Sequence, residues 1–169
     1  KNFLNLGEGG NGIDDIYNNL KLLYSENKFD KCVILFPVFG RRLIKCKVDD
    51  FYVKFPSTIY HNIDNKFHFW SNPLLKETAK QVFDDIVNDT KNEYSKKILN
   101  DLVNFCKENK ITLYASSWDN DVYNELKKHS LVLLPKFPKF DQFEDRADDG
   151  LHPHKKHYQL FVDQISTFL

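Results

Sequence analysis

Three short apolar runs, spaced by segments of helical periodicity, set the class of fold open to this chain. Cys32–Phe36 (CVILF), Ile111–Ala115 (ITLYA) and Leu131–Leu134 (LVLL) have the length of strands, and a weaker run, Phe3–Leu6, precedes them. The unbroken apolar character of Cys32–Phe36, stopped by Pro37, is that of a parallel strand covered on both faces. Between Phe3–Leu6 and Cys32–Phe36, Ile13, Ile16, Tyr17, Leu20, Leu23 and Tyr24 recur at helical spacing, with Asp14 and Asp15 in the first turn where the helix dipole favours them. A second helical stretch spans residues 75 to 109, with a break expected near Asn88, Asp89 and Thr90. A short helix is expected over Asp121 to His129, and a final helix is opened by Pro153. The apolar face of that last helix reads Tyr158, Phe161, Val162, Ile165, Phe168 and Leu169. Strands alternating with helices imply an α/β fold with a largely parallel sheet.

Composition narrows the function classes. A length of 169 residues with 41% hydrophobic side chains suits one domain, 1–169, with a real core. The 24 basic and 24 acidic residues cancel, which argues against nucleic-acid binding by bulk electrostatics. No apolar run approaches the roughly 18 residues needed to span a membrane. Three widely spaced cysteines (Cys32, Cys46 and Cys106) make neither a disulfide framework nor a zinc knuckle, so a reducing, cytoplasmic setting is expected. The chain begins at Lys1 and holds no Met, from which an incomplete N-terminus is expected. Residues 41–73 are aromatic-rich and read as an irregular insert or lid, in which packing is the duty expected of most of the rings.

Two segments carry residue types suited to chemistry. Gly7, Gly9 and Gly12 match G-x-G-x-x-G between a strand and a helix, the dinucleotide pattern. That reading needs an acid at the end of the following strand, and Pro37-Val38-Phe39-Gly40-Arg41-Arg42 supplies none. A plain glycine turn and an oxyanion-binding loop are the other readings. The second segment is Asp148-Asp149-Gly150-Leu151-His152-Pro153-His154. An acid three residues ahead of a histidine on a tight turn can accept from the imidazole Nδ1–H, fixing the tautomer and leaving Nε2 as a general base. Zinc is the competing reading for Asp148, Asp149, His152, His154 and His157. His61 and His68 in the aromatic segment are the candidates for further ligands, and His154 and His157 are expected to face solvent, so no metal site is expected.

Taken together, the strand–glycine–helix opening and the segment RADDGLHPHKKHYQLFVDQI resemble the SGNH (GDSL-type) hydrolases. The resemblance implies a three-layer α/β/α, flavodoxin-like fold that here lacks its first strand. It implies that Asp149 and His152 are the acid and base of a Ser-His-Asp triad. Gly10 takes the place of the family glycine whose N–H lines the oxyanion hole, with Asn11 beside it near the substrate. The family's third block falls at Val38-Phe39-Gly40-Arg41, where Gly40 replaces the usual asparagine and Arg41 is the candidate substitute contact. The Gly-Asp-Ser block with the nucleophile is expected upstream of Lys1, because none of the serines present lies in that context. The implied activity is ester hydrolysis by acyl transfer on a small-molecule, glycan or lipid ester, without metal or organic cofactor. The alternatives are a non-catalytic carbohydrate- or lipid-binding relative and a dinucleotide-dependent oxidoreductase.

Overall fold

The computed structural model describes residues 12–45, 52–55, 88–89, 91–138 and 155–168. The chain divides into two units interleaved in sequence: residues 1–27 with 39–99, and residues 28–38 with 100–169.

The second unit holds the parallel sheet. Strand β1 (Lys31–Phe36) pairs with β4 (Thr112–Ser117), which pairs in turn with β5 (Val132–Leu133), all parallel. The spatial order is therefore β1-β4-β5, strands in the sequence in which they are met. Both crossovers are helical, through α2 (Glu93–Glu108) and α3 (Asn120–Leu126), as parallel neighbours require. The middle strand is the most buried: Leu113 to Ser117 are all buried. β1 departs from the expected strand covered on both faces. Val33 is exposed and only Phe36, at the carboxyl end, is fully buried, as suits a strand at one end of the described order.

The last helix, α4 (Lys155–Ser166), packs through a narrower stripe than its apolar pattern suggests. Ile165 joins Tyr114 and Leu134 in a core cluster, with Phe161 and Val132 against it. Phe137, fully buried, meets Phe161 edge-on at 4.8 Å between centroids and stacks on Tyr158 at 5.6 Å. Val162 and Phe168, expected on the inner face, are exposed.

The break expected near residues 88–90 has a defined cause. Asn92 N–H donates to the Asp89 carbonyl in a turn, and Asn92 sits at φ 55°. The Asp89 carboxylate then accepts from the amides of Glu93 and Tyr94, satisfying free donors at the start of α2. At the other end, Lys110 (φ 56°) donates to the Lys107 carbonyl and Ile111 to that of Cys106, closing a Schellman motif without glycine. Buried Ile111 and Cys106 supply the apolar contact that accompanies this cap. α3 begins at an Asp119 cap, whose Oδ1 accepts from the amides of Asp121 and Val122, and stops at Leu126 rather than reaching His129.

In the first unit, α1 (Ile13–Glu26) buries Ile13 and Leu20 from the face expected of it. Residues 41–73 are not irregular throughout. β2 (Arg42–Lys45) and β3 (Tyr52–Phe55) form an antiparallel pair, with Arg42 opposite Phe55 and Lys45 opposite Tyr52. Each run has only four residues, too short for alternation to stand out from an aromatic-rich background. The expected strand Phe3–Leu6, and the vacancy expected beside it, lie outside the described residues. Among the described residues no helix is long and apolar enough to cross a membrane.

Candidate active site

The carboxyl ends of parallel strands are where α/β sheets place ligands, so the loops that follow β1, β4 and β5 come first. Ser117 closes β4. Its hydroxyl donates to the Phe36 carbonyl at the end of β1 (2.9 Å) and accepts from the Asp119 amide (3.0 Å). Ser116 donates to the Pro135 carbonyl (2.7 Å) and accepts from the Phe137 amide (3.3 Å). The Tyr123 hydroxyl donates to the Leu134 carbonyl (3.0 Å), and burial pushes its ionisation above the ordinary phenol value. Three hydroxyls thus tie the ends of three strands to one another and to the segment after β5. Both serines are buried and committed to the backbone, which makes them structural ties rather than nucleophiles. Sequence reading set them aside for lack of a Gly-Asp-Ser context; the missed signal was their place directly after an apolar strand.

The first unit holds Gly40 and Arg41, two of the candidate site residues. Gly40 is buried at φ 89°, a conformation that an L side chain enters only with strain. A glycine at position 40 therefore has a backbone reason in this chain. Next to it, Arg41 is half-buried, and desolvation pulls its guanidinium below the usual arginine range.

The end of the glycine block meets this loop directly. A Cβ on Gly12 would lie 2.6 Å from the Arg41 carbonyl oxygen and 2.5 Å from Asp14 Oδ1. Backbone approaches backbone here at a distance only glycine allows. Gly12 also accepts, through its carbonyl, the first bond of α1 from Ile16 N–H. Asp14 and Asp15 are buried at this terminus instead of facing solvent. The Asp14 carboxylate accepts from the Asp15 amide (2.9 Å) and from the Tyr94 hydroxyl (3.3 Å). Two buried acids in the first turn oppose a pyrophosphate at this helix end, which weighs against the dinucleotide reading. Gly12 was legible as the last glycine of G-x-G-x-x-G. Tyr94 carried no signal, because its contact with Asp14 joins residues 80 apart in sequence.

Of the residues singled out from sequence, Gly40 and Arg41 are described, and the Arg41 backbone lies against Gly12. Gly10, Asn11, Asp149 and His152 lie outside the described residues, as do His61, His68 and His154. His157, expected to face solvent, is half-buried with Nε2 shielded. Among the described residues no group of three or more His, Cys, Asp or Glu side chains converges on a point that could hold a metal ion. No family model, curated protein or solved structure matches the chain.

Proposed function

We propose that this chain carries the acid–base pair and an oxyanion-binding loop of an SGNH-type serine esterase. The observation that carries the reading is the Asp149-Gly150-Leu151-His152 sequence, which precedes α4 in a chain whose three-stranded sheet runs parallel in the order β1-β4-β5. Consecutive parallel order is what one half of a doubly wound, flavodoxin-like sheet requires. A second support is the close approach of Gly12 to Arg41, since it brings the end of the glycine block to the loop that bears Gly40.

In this reading His152 Nε2 takes the proton of a serine hydroxyl as that oxygen attacks the ester carbonyl, and later returns it to the leaving alcohol. Asp149 holds His152 in the required tautomer and stabilises the imidazolium. Gly10 N–H, with the loop at Gly40, binds the oxyanion of the tetrahedral intermediate; one such donor is typically worth about 10²–10³ in rate. The nucleophile of this reading is a serine in a Gly-Asp-Ser context, which residues 1–169 do not contain, and no cofactor takes part.

The test is hydrolysis of short p-nitrophenyl esters, acetylated sugars and thioesters by the full-length gene product, with any residues upstream of Lys1. Activity abolished by His152→Ala supports the esterase. Inertness toward all three substrate classes, with no serine labelled by a fluorophosphonate, favours the non-catalytic binding relative.

A further inference from the structure

We infer that Tyr94 is a positioning residue: acting through Asp14, its hydroxyl sets the backbone at Gly12, where the glycine block enters α1. The inference rests on the oxyanion-binding reading of that block and adds the residue that holds its end in place.

The chain of contacts begins at Asp89, whose Oδ2 accepts from the Tyr94 amide at 3.2 Å. Tyr94 is thereby fixed in the first turn of α2, with 40% of the residue exposed. Its hydroxyl donates to Asp14 Oδ2 at 3.3 Å, a contact that spans 80 residues of sequence. The other oxygen, Oδ1, accepts from the Asp15 amide at 2.9 Å. Donors from two helices thus hold both oxygens of a carboxylate that is only 7% exposed. A carboxylate held at both oxygens cannot turn without breaking one of the two bonds.

That carboxylate borders Gly12 directly. A Cβ on Gly12 would stand 2.5 Å from Asp14 Oδ1 and 2.6 Å from the Arg41 carbonyl oxygen. Gly12 in turn accepts the first helical bond of α1 from Ile16 N–H at 3.1 Å. Releasing the Asp14 carboxylate would therefore free the backbone at Gly12 and loosen the first turn. A phenol suits this task. Its neutral hydroxyl makes a charge-assisted bond to the acid. It also adds no positive charge at the positive end of the helix dipole, as Lys or Arg would. An oxyanion donor works only when aimed at the charge that develops in the transition state, so a loosened block costs kcat rather than substrate affinity.

Tyr94→Phe keeps the ring and removes the donor. Amide exchange read by NMR should speed up roughly three- to tenfold at Asp15 and Ile16, with β4 unchanged, the range one hydrogen bond supports. In the full-length gene product, kcat on a short p-nitrophenyl ester should fall by a similar factor while KM stays within about twofold. Adding Tyr94→Phe to Asp14→Ala should not speed exchange at Ile16 further, because the two substitutions remove one contact. If Asp14→Ala does not fold, Tyr94→Phe alone carries the test. Exchange unchanged at Asp15 and Ile16, raised equally throughout the chain, or additive across the two substitutions would overturn the proposal. So would local loosening with kcat intact in an enzyme that depends on His152. A gene product inert toward esters defeats the esterase reading instead, and the exchange result still decides whether Tyr94 holds Gly12.

Discussion

The two units are held by opposite physical devices. Around the glycine block of the first unit, order comes from backbone meeting backbone: Gly12 lies against the Arg41 carbonyl, and Gly40 takes a φ closed to other residues. Around the parallel sheet of the second, order comes from side-chain volume and from hydroxyls tied to strand ends. Phe137 fills the space between Tyr158 and Phe161, and Ser117 joins the end of β1 to the start of α3. The first kind of site is damaged by adding an atom and the second by removing one. A loop built on the first principle keeps its N–H groups and carbonyls in fixed directions, which is what an oxyanion-binding loop needs.

The sharpest break in this contrast comes from truncating the aromatic anchor. Phe137→Ala should destabilise the protein by about 3–5 kcal/mol, read as a lower urea midpoint, because a fully buried ring leaves a cavity between two aromatic neighbours. A change under 1 kcal/mol would show that the second unit does not depend on that volume. The converse substitution, Gly12→Ala, adds a single methyl where a carbonyl carbon stands 2.9 Å away, and should cost about 3 kcal/mol. Hydrogen exchange should show the loss in α1 ahead of β4; equal loss in both would remove the distinction drawn between the units. Ser117→Ala comes next. It removes the donor to Phe36 and the acceptor for Asp119, at a cost of about 1–2 kcal/mol by urea unfolding. The smallest effect runs the other way. Lys110→Gly relieves a residue at φ 56° in the cap of α2, and after the extra chain entropy of glycine should stabilise by about 0.5 kcal/mol.

The legible part of this molecule was the part written in volume. Cys32–Phe36, Ile111–Ala115 and Leu131–Leu134 each fall on a parallel strand, and the helix break near Asp89 follows from a side chain that caps α2. The same pattern reading overreached in two places. Periodicity puts Val162 and Phe168 on a buried face, whereas both are exposed, because spacing alone does not show how wide a stripe of the helix finds a partner. It also passed over β2 and β3, whose four-residue runs lack enough alternation to register. At the candidate site the glycines were visible as a motif, but the burial of Asp14 and Asp15 was not. An acid in the first turn of a helix is ordinarily a solvated partner of the dipole. Here the Tyr94 hydroxyl, a contact distant in sequence, replaces water for Asp14.

The proposed chemistry rests on the Asp149–His152 segment ahead of α4, and the most direct measurement is the rate of the full-length gene product on a short p-nitrophenyl ester before and after single histidine substitutions. The esterase reading predicts that His152→Ala lowers kcat by at least about 10³, while His154→Ala and His157→Ala change it by less than about tenfold. Circular dichroism of each variant confirms that the fold is retained. Activity that survives His152→Ala, or that is lost with His154→Ala in its place, would contradict the assignment of His152 as the general base.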